Sequence, residues 1–138
     1  MSREYQLQVY ILSKVIFVFI IIFTVVLSGL ILRDPVGFIN SLNMGIKTGY
    51  GGYYFYAGTS ISYLLLLSIL SIFIAYDPIK YRNFMIPIII GLILNGAFLL
   101  FMSHIESGVV FIIFSAVDFI LASAIMLLYY IHLRSFRM

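Results

Sequence analysis

Residues 109–131, VVFIIFSAVDFILASAIMLLYYI, decide the fold of this chain. An α-helix needs about 20 apolar residues to cross a hydrocarbon core of roughly 30 Å, and this run is long enough to do so. Three further runs, at residues 15–32, 53–75 and 84–102, meet the same requirement. The four runs together contain a single charged side chain, Asp118. Because lipid offers no hydrogen bonds to a polypeptide backbone, we expect each run to be a helix.

The composition of the whole chain supports this interpretation. The chain has 138 residues, of which 64% are hydrophobic and 9% are charged, whereas a soluble domain carries about 25% charged residues. Outside the four runs there is too little sequence to build a second core. The connections after the second and third runs are short, so their helices should be antiparallel neighbours. The sequence therefore predicts one all-α integral membrane domain over residues 1–138, a four-transmembrane-helix antiparallel bundle.

The charged residues and the absence of cysteine exclude several function classes. The net charge is +3, yet the eight Lys and Arg residues lie scattered near the ends of the runs and form no basic patch, so we expect no nucleic-acid partner. The chain has no cysteine, which excludes disulfides, thiol catalysis and thiolate metal sites. No motif for a cofactor is present, and we expect none to be bound.

The distribution of basic residues predicts the topology. Lys and Arg are enriched in loops on the cytoplasmic side of a membrane. Two basic residues lie in the first connection and none in the third; the other six lie before the first run, in the second connection and after the last run, at Arg3, Lys14, Lys80, Arg82, Arg134 and Arg137. We therefore expect a multi-pass protein of the plasma (inner) membrane with both termini in the cytoplasm.

The first connection carries the signals of a short helix. Asp34 is a good N-cap residue, Pro35 suits the first helical position, and Gly45 suits the C-terminal end. Apolar residues recur at a helical spacing between them, at Val36, Ile39 and Leu42. This pattern predicts a short interfacial helix between spans one and two. An ordered cap with no ligand role is the simpler interpretation of it.

The order of these features resembles a known family. An apolar span, Asp34-Pro35 with a short amphipathic helix, Tyr50-Gly51-Gly52 opening span two, a basic turn, span three and an acidic residue in span four follow one another. This order is similar to small four-helix bacterial membrane proteins of the DoxX-like type, and closest to a related uncharacterised family described as a domain of unknown function. The resemblance implies a four-helix bundle. This chain has Asn95 where the resemblance implies a basic residue in span three, so it does not extend to a shared charge pair.

Asp118 is the main candidate functional residue. A carboxylate in the middle of a span costs about 2.5–3.5 kcal/mol on insertion scales, so it should face the bundle interior and have a partner. Asn95 lies at a comparable depth in span three, and Ser115 lies on the same face of span four. Hydroxyls of the first two spans are alternative partners: Thr24, Ser28, Thr59, Ser60 and Ser62. Asp118 could lock the bundle through a hydrogen bond or relay a proton or cation; a relay usually needs several titratable groups, which favours the lock.

A second candidate site lies in the turns opposite the termini. His104 and Glu106 could bind a transition metal, or could line an outer site with Asp34, because imidazole and carboxylate suit Zn and Cu. Two ligands at this spacing are more typical of a solvated turn, so we assign no metal. His132 is about 40 Å from His104 along the chain's helices, which excludes one haem held by both within this chain alone.

No catalytic set is present within the four runs: there is no nucleophile–base pair, no HExxH and no pair of carboxylates. The sequence therefore favours a non-catalytic membrane subunit that assembles with or stabilises a larger complex. Its expected partners are the lipid bilayer and other membrane protein chains or a second copy. The alternative is a small oligomeric transporter or channel-like unit in which Asp118 is a proton or cation relay.

Overall fold

The computed structural model describes residues 3–41, 50–106 and 109–135, and these are almost entirely helical. A single 3-10 turn over Arg82–Phe84 precedes α4. There are five α-helices in the described ranges: α1 Arg3–Arg33, α2 Pro35–Ser41, α3 Tyr50–Tyr76, α4 Met85–Glu106 and α5 Val109–Ser135. Four of them, all except α2, are long and apolar enough to cross a membrane. Each of the four predicted spans is thus confirmed as a helix.

Helix α1 begins twelve residues before the first apolar run, where the sequence predicts only a tail. The reason is a buried stripe that continues through this region at steps of three and four residues, which is the period of one helix face. Its members are Val9, Ser13, Phe17, Ile20, Thr24, Ser28 and Ile31. With 31 residues and a rise of 1.5 Å per residue, α1 is about 46 Å long.

Short polar turns end the first and third helices. Helix α1 stops at Asp34, whose Oδ1 accepts a hydrogen bond from the backbone N–H of Gly37 at 2.9 Å and so caps α2. After α3, Asp77 Oδ1 accepts the N–H groups of Ile79 and Lys80, each at 3.1 Å. The predicted short helix is present as α2, while its expected end at Gly45 lies outside the described residues.

The buried apolar residues divide the bundle into two unlike halves. Near the 3-10 turn, all four long helices contribute to one cluster, the shared core, made of Phe17, Ile20, Leu67, Ile74, Met85, Ile88, Ile89, Leu92, Ala122 and Ile125. Toward α2 the buried residues form two separate clusters, one between α1 and α3 (Ile31, Ala57, Leu64) and one between α4 and α5 (Met102, Phe111). Phe38 of α2 packs against both of these clusters. The four helices are therefore joined as one body at one end and as two pairs at the other.

The outward faces of the four long helices are apolar. Large side chains such as Phe19, Leu94 and Ile120 are each more than 60% exposed. A water-soluble monomer rarely exposes contiguous apolar surface of this extent. The four helices and their apolar exteriors are thus the features of a multi-pass transmembrane helical protein.

Candidate functional site

The structure brings the predicted carboxylate and its predicted partner together between α4 and α5. The amide Nδ2 of Asn95 donates a hydrogen bond to Oδ2 of Asp118 at 2.7 Å. Both side chains are half-buried. An ionised acceptor shortens and strengthens such a bond relative to a neutral pair. The pair therefore ties α4 to α5 at a point inside two of the apolar helices.

Ser115 strengthens the same contact one helical turn away. Its hydroxyl donates to the backbone carbonyl of Gly96 at 2.8 Å, and the serine is buried. The approach is possible because Gly96 has no side chain: a Cβ there would lie 3.3 Å from two ring atoms of Phe119 and 3.4 Å from Cβ of Asp118. Asp118, Asn95 and Ser115, which the sequence groups as one polar site, are therefore together in the fold.

Tyr63 of α3 is a third neighbour, and the sequence does not single it out. Its Cε2 would lie 3.5 Å from a Cβ on Gly91, which is one turn from Asn95 along α4. The phenolic oxygen is buried, and it has no hydrogen-bond partner within residues 3–41, 50–106 and 109–135. The one feature of the sequence that points to Tyr63 is its position, because it lies well inside a span and away from both ends.

The alternative partners of Asp118 are bonded elsewhere or exposed. The hydroxyls of Thr24, Ser28 and Ser62 donate to carbonyls of their own helices, at 2.8, 2.7 and 2.9 Å. Thr59 does the same at 3.0 Å, and Ser60 is exposed. Hydroxyls in helices commonly bond in this way to a carbonyl one turn earlier. Asn95 is thus the predicted partner that the geometry selects.

A second polar contact, which the sequence does not reveal, joins α1 to α5 near the ends that hold the termini. Ser13 Oγ lies 2.8 Å from Nε2 of His132, and both residues are fully buried. Nearby, Nε2 of Gln6 donates to the carbonyl of Ser135 at 2.6 Å. Ser13 lies before the first apolar run and His132 follows the last one, so the four runs contain neither member of the pair.

Ser13 and His132 have the residue types of a nucleophile and its base, but their hydrogen bonding does not suit catalysis. The Ser13 hydroxyl donates its one proton to the carbonyl of Val9 at 2.8 Å. In this arrangement Nε2–H of His132 donates to Ser13, so the ring does not act as the base toward this hydroxyl. With both residues fully buried, the contact is a clasp between the first and last helices.

The polar site and the clasp are far apart. Asp118 and His132 are fourteen positions apart on α5, which corresponds to about 21 Å along the helix. The buried positions between them are apolar: Ala122, Ile125 and Leu128. The two titratable groups are therefore separated along α5 by part of the shared core.

The second candidate site is not assembled by the described residues. Asp34 is exposed and caps α2, and His104 is exposed near the end of α4. Glu106 is the last residue of α4, and its side chain lies outside what the structure describes. Within the described ranges, no three His, Cys, Asp or Glu residues lie together in a group that could hold a metal ion.

Comparisons with known proteins identify no relative of this chain. No family model matches the chain, and neither the curated proteins nor the solved structures contain a match. The resemblance to DoxX-like proteins stays a prediction, and the functional argument rests on the geometry of this chain.

Proposed function

We propose that this chain is a non-catalytic integral membrane subunit that assembles with, and stabilises, a larger membrane protein complex. In this proposal the four long helices cross the plasma (inner) membrane as an antiparallel bundle. Both termini are cytoplasmic, as the bias of basic residues favours, and α2 lies in the opposite interface. A resemblance to DoxX-like proteins is part of the same proposal.

The observation that carries the proposal is the pairing of Asp118 with Asn95 at 2.7 Å. Together with the Ser115 bond to Gly96 and the clasp of Ser13 with His132, it joins one helix to another. In an apolar medium, polar side chains used in this way hold helices together. The described part of the chain offers no catalytic arrangement that competes with this use.

Surfaces for a neighbouring chain are available on the outside of the bundle. Gly29 of α1 and Gly58 of α3 are exposed, and a Cβ at either position would meet no atom within 4 Å. Small residues that face outward allow the backbone of another transmembrane helix to approach closely. These two glycines are therefore the first positions at which to test a partner contact.

The alternative function is a small oligomeric transporter or channel-like unit with Asp118 as a proton or cation relay. The partial exposure of Asp118 and Asn95 favours it. The apolar residues between Asp118 and His132 count against a relay that continues along α5. A continuous path for a proton or cation from Asp118 to His132 would require the packed side chains of the shared core to separate.

Purification in a mild detergent tests the proposal directly. A tagged chain should retain defined partner chains in a fixed ratio. Gly29→Leu and Gly58→Leu should weaken that retention without lowering thermal stability, since nothing within the bundle lies within 4 Å of either added Cβ.

Two other results would contradict the subunit role. A homo-oligomer whose substrate binding depends on pH, and is abolished by Asp118→Asn, supports the transporter instead. A lone monomer that retains no partner and binds no substrate contradicts both functions.

A further inference from the structure

The cluster of Asp118, Asn95 and Tyr63 presents oxygen atoms that the bundle does not use. Asn95 is the hydrogen-bond partner of the Asp118 carboxylate among the described side chains, and it engages Oδ2. Asn95 uses its nitrogen in that bond, so its amide oxygen is available beside the carboxylate. The phenolic oxygen of Tyr63 is buried with no partner among the described residues, and the tyrosine ring packs on Gly91, one helical turn from Asn95.

The charge of the carboxylate has no counter-charge in the described part of the bundle. Asn95 is neutral, so its hydrogen bond solvates the carboxylate without cancelling the charge. The four runs contain no Lys or Arg, and His132 lies about 21 Å away along α5. A carboxylate among apolar helices is normally paired with an opposite charge.

The site is placed where something small could reach it. Asp118 and Asn95 are both half-buried, so part of each side chain is accessible from outside the bundle. Toward α2 the apolar packing is divided into the α1–α3 and α4–α5 clusters, whereas the shared core closes the other half. Thr24 and Ser28 lie on the buried face of α1, and their hydroxyls donate hydrogen bonds to backbone carbonyls of the same helix.

We propose that Asp118, Asn95 and Tyr63 bind one monovalent metal cation, with Na⁺ as the candidate. Carboxylate, amide and phenol oxygens are hard ligands, which suit alkali and alkaline-earth cations. One carboxylate balances one positive charge, whereas a divalent ion would leave an uncompensated charge among apolar helices. This site is independent of the subunit role, because a cation bound inside the bundle requires no partner chain.

Thermal unfolding of the full chain in detergent tests the site. NaCl is titrated against choline chloride at constant ionic strength, so that charge screening is the same in both series. A ligand that binds only the folded state raises its stability with concentration. The Tm should therefore rise with Na⁺ and not with choline.

Three variants locate the effect. In Asp118→Asn the Na⁺ and choline curves should coincide. Tyr63→Phe removes one ligand oxygen while keeping the ring on Gly91, so a several-fold higher Na⁺ concentration should be needed for the same Tm shift. Asp34→Asn, which changes an exposed carboxylate in the cap of α2, should respond to Na⁺ as the unmodified chain does.

Coincident Na⁺ and choline curves for the unmodified chain would overturn the site, as would a full Na⁺ response in Asp118→Asn. If Asp118→Asn does not fold, the binding of radiolabelled sodium is measured for the unmodified chain and for Tyr63→Phe. Weaker binding to Tyr63→Phe supports the site. Equal binding to the two, or no binding to the unmodified chain, contradicts the proposal. Co-purification of partner chains is a separate measurement, so failure of the cation site and failure of the subunit role are distinguishable.

Discussion

Replacing Asn95 by leucine should destabilise the bundle more than replacing Asp118 by asparagine. Asn95→Leu removes the donor at 2.7 Å and leaves a half-buried carboxylate without its described partner. Hydrogen bonds to charged groups contribute about 1.5–3 kcal/mol in proteins. Polar contacts between transmembrane helices average about 0.6 kcal/mol and reach about 1.7. Because the carboxylate is only half-buried, we expect a loss of about 1–2 kcal/mol in the free energy of unfolding.

The other members of a double-mutant cycle should behave differently. Asp118→Asn keeps the shape of the side chain, allows an amide–amide hydrogen bond and removes a charge that is costly among apolar helices. Without Na⁺, its free energy of unfolding should therefore fall by less than that of Asn95→Leu. The cycle itself uses Asp118→Leu, which leaves the Asn95 amide without its described partner, and Asp118→Leu with Asn95→Leu. In the double variant neither member of the pair is left without its partner, so it should be more stable than Asn95→Leu alone. The coupling between the two sites should be about 1–2 kcal/mol.

The assay is reversible unfolding in mixed micelles, followed by circular dichroism in choline chloride as a sodium-free denaturing detergent is added, so that no Na⁺ contributes to stability. Asn83→Leu, at an exposed asparagine in the 3-10 turn, is the matched control and should change stability by about 0.5 kcal/mol or less. Equal stabilities of Asn95→Leu and the control, or strictly additive effects in the cycle, would refute the reasoning.

Three further predictions concern the packing at two glycines, the clasp and the topology. Gly96→Ala should be less stable than Gly91→Ala. A Cβ at Gly96 would lie 3.3 Å from the ring of Phe119, which would have to move by a few tenths of an ångström, whereas a Cβ at Gly91 would make an ordinary 3.5 Å contact. The same micelle assay checks both, and equal stabilities would contradict the geometry. Ser13→Ala should lower the free energy of unfolding by about 1–2 kcal/mol by removing one hydrogen bond of a buried histidine, and an unchanged unfolding curve would show that the clasp contributes nothing. With no native cysteine, His104→Cys in intact cells should react with a membrane-impermeant maleimide and Lys80→Cys should not; the reverse pattern would invert the proposed topology.

The fold was predictable because it depends on long apolar runs. A helix is the one structure that a single long apolar run can adopt in lipid, so four runs predict four helices. The contact of Asn95 with Asp118 was predictable for a related reason: a short connection joins their helices and fixes which residues lie at similar depth. Ser115 followed because it shares a helix face with the carboxylate.

Contacts between helices that are distant in the sequence were not predictable in this way. Ser13 and His132 lie on the first and last long helices, and no short connection sets the register between α1 and α5. The residues before the first run also include the charged residues Arg3, Glu4 and Lys14. Composition alone therefore does not indicate that the helix begins there. Only the four-residue spacing of Val9, Ser13 and Phe17 could have indicated it.

Tyr63 was missed because tyrosines in a membrane protein are most often expected in the belts at the two interfaces. Its role depends on how α3 is rotated about its own axis, which places the ring on Gly91. The sequence of α3 is apolar almost all round, so it leaves that rotation undetermined. Packing against the other helices, above all α1, settles it.

The division of the buried residues into one common cluster at one end and two at the other has a mechanical consequence. Phe17, Ile74, Met85 and Ile125 are fixed in a single close-packed unit, so bending of either helix pair displaces atoms least there. The amplitude grows with distance from that pivot and is greatest near Phe38, whose ring contacts both pairs. We therefore expect thermal motion of the molecule to be greatest at the end that carries the short second helix.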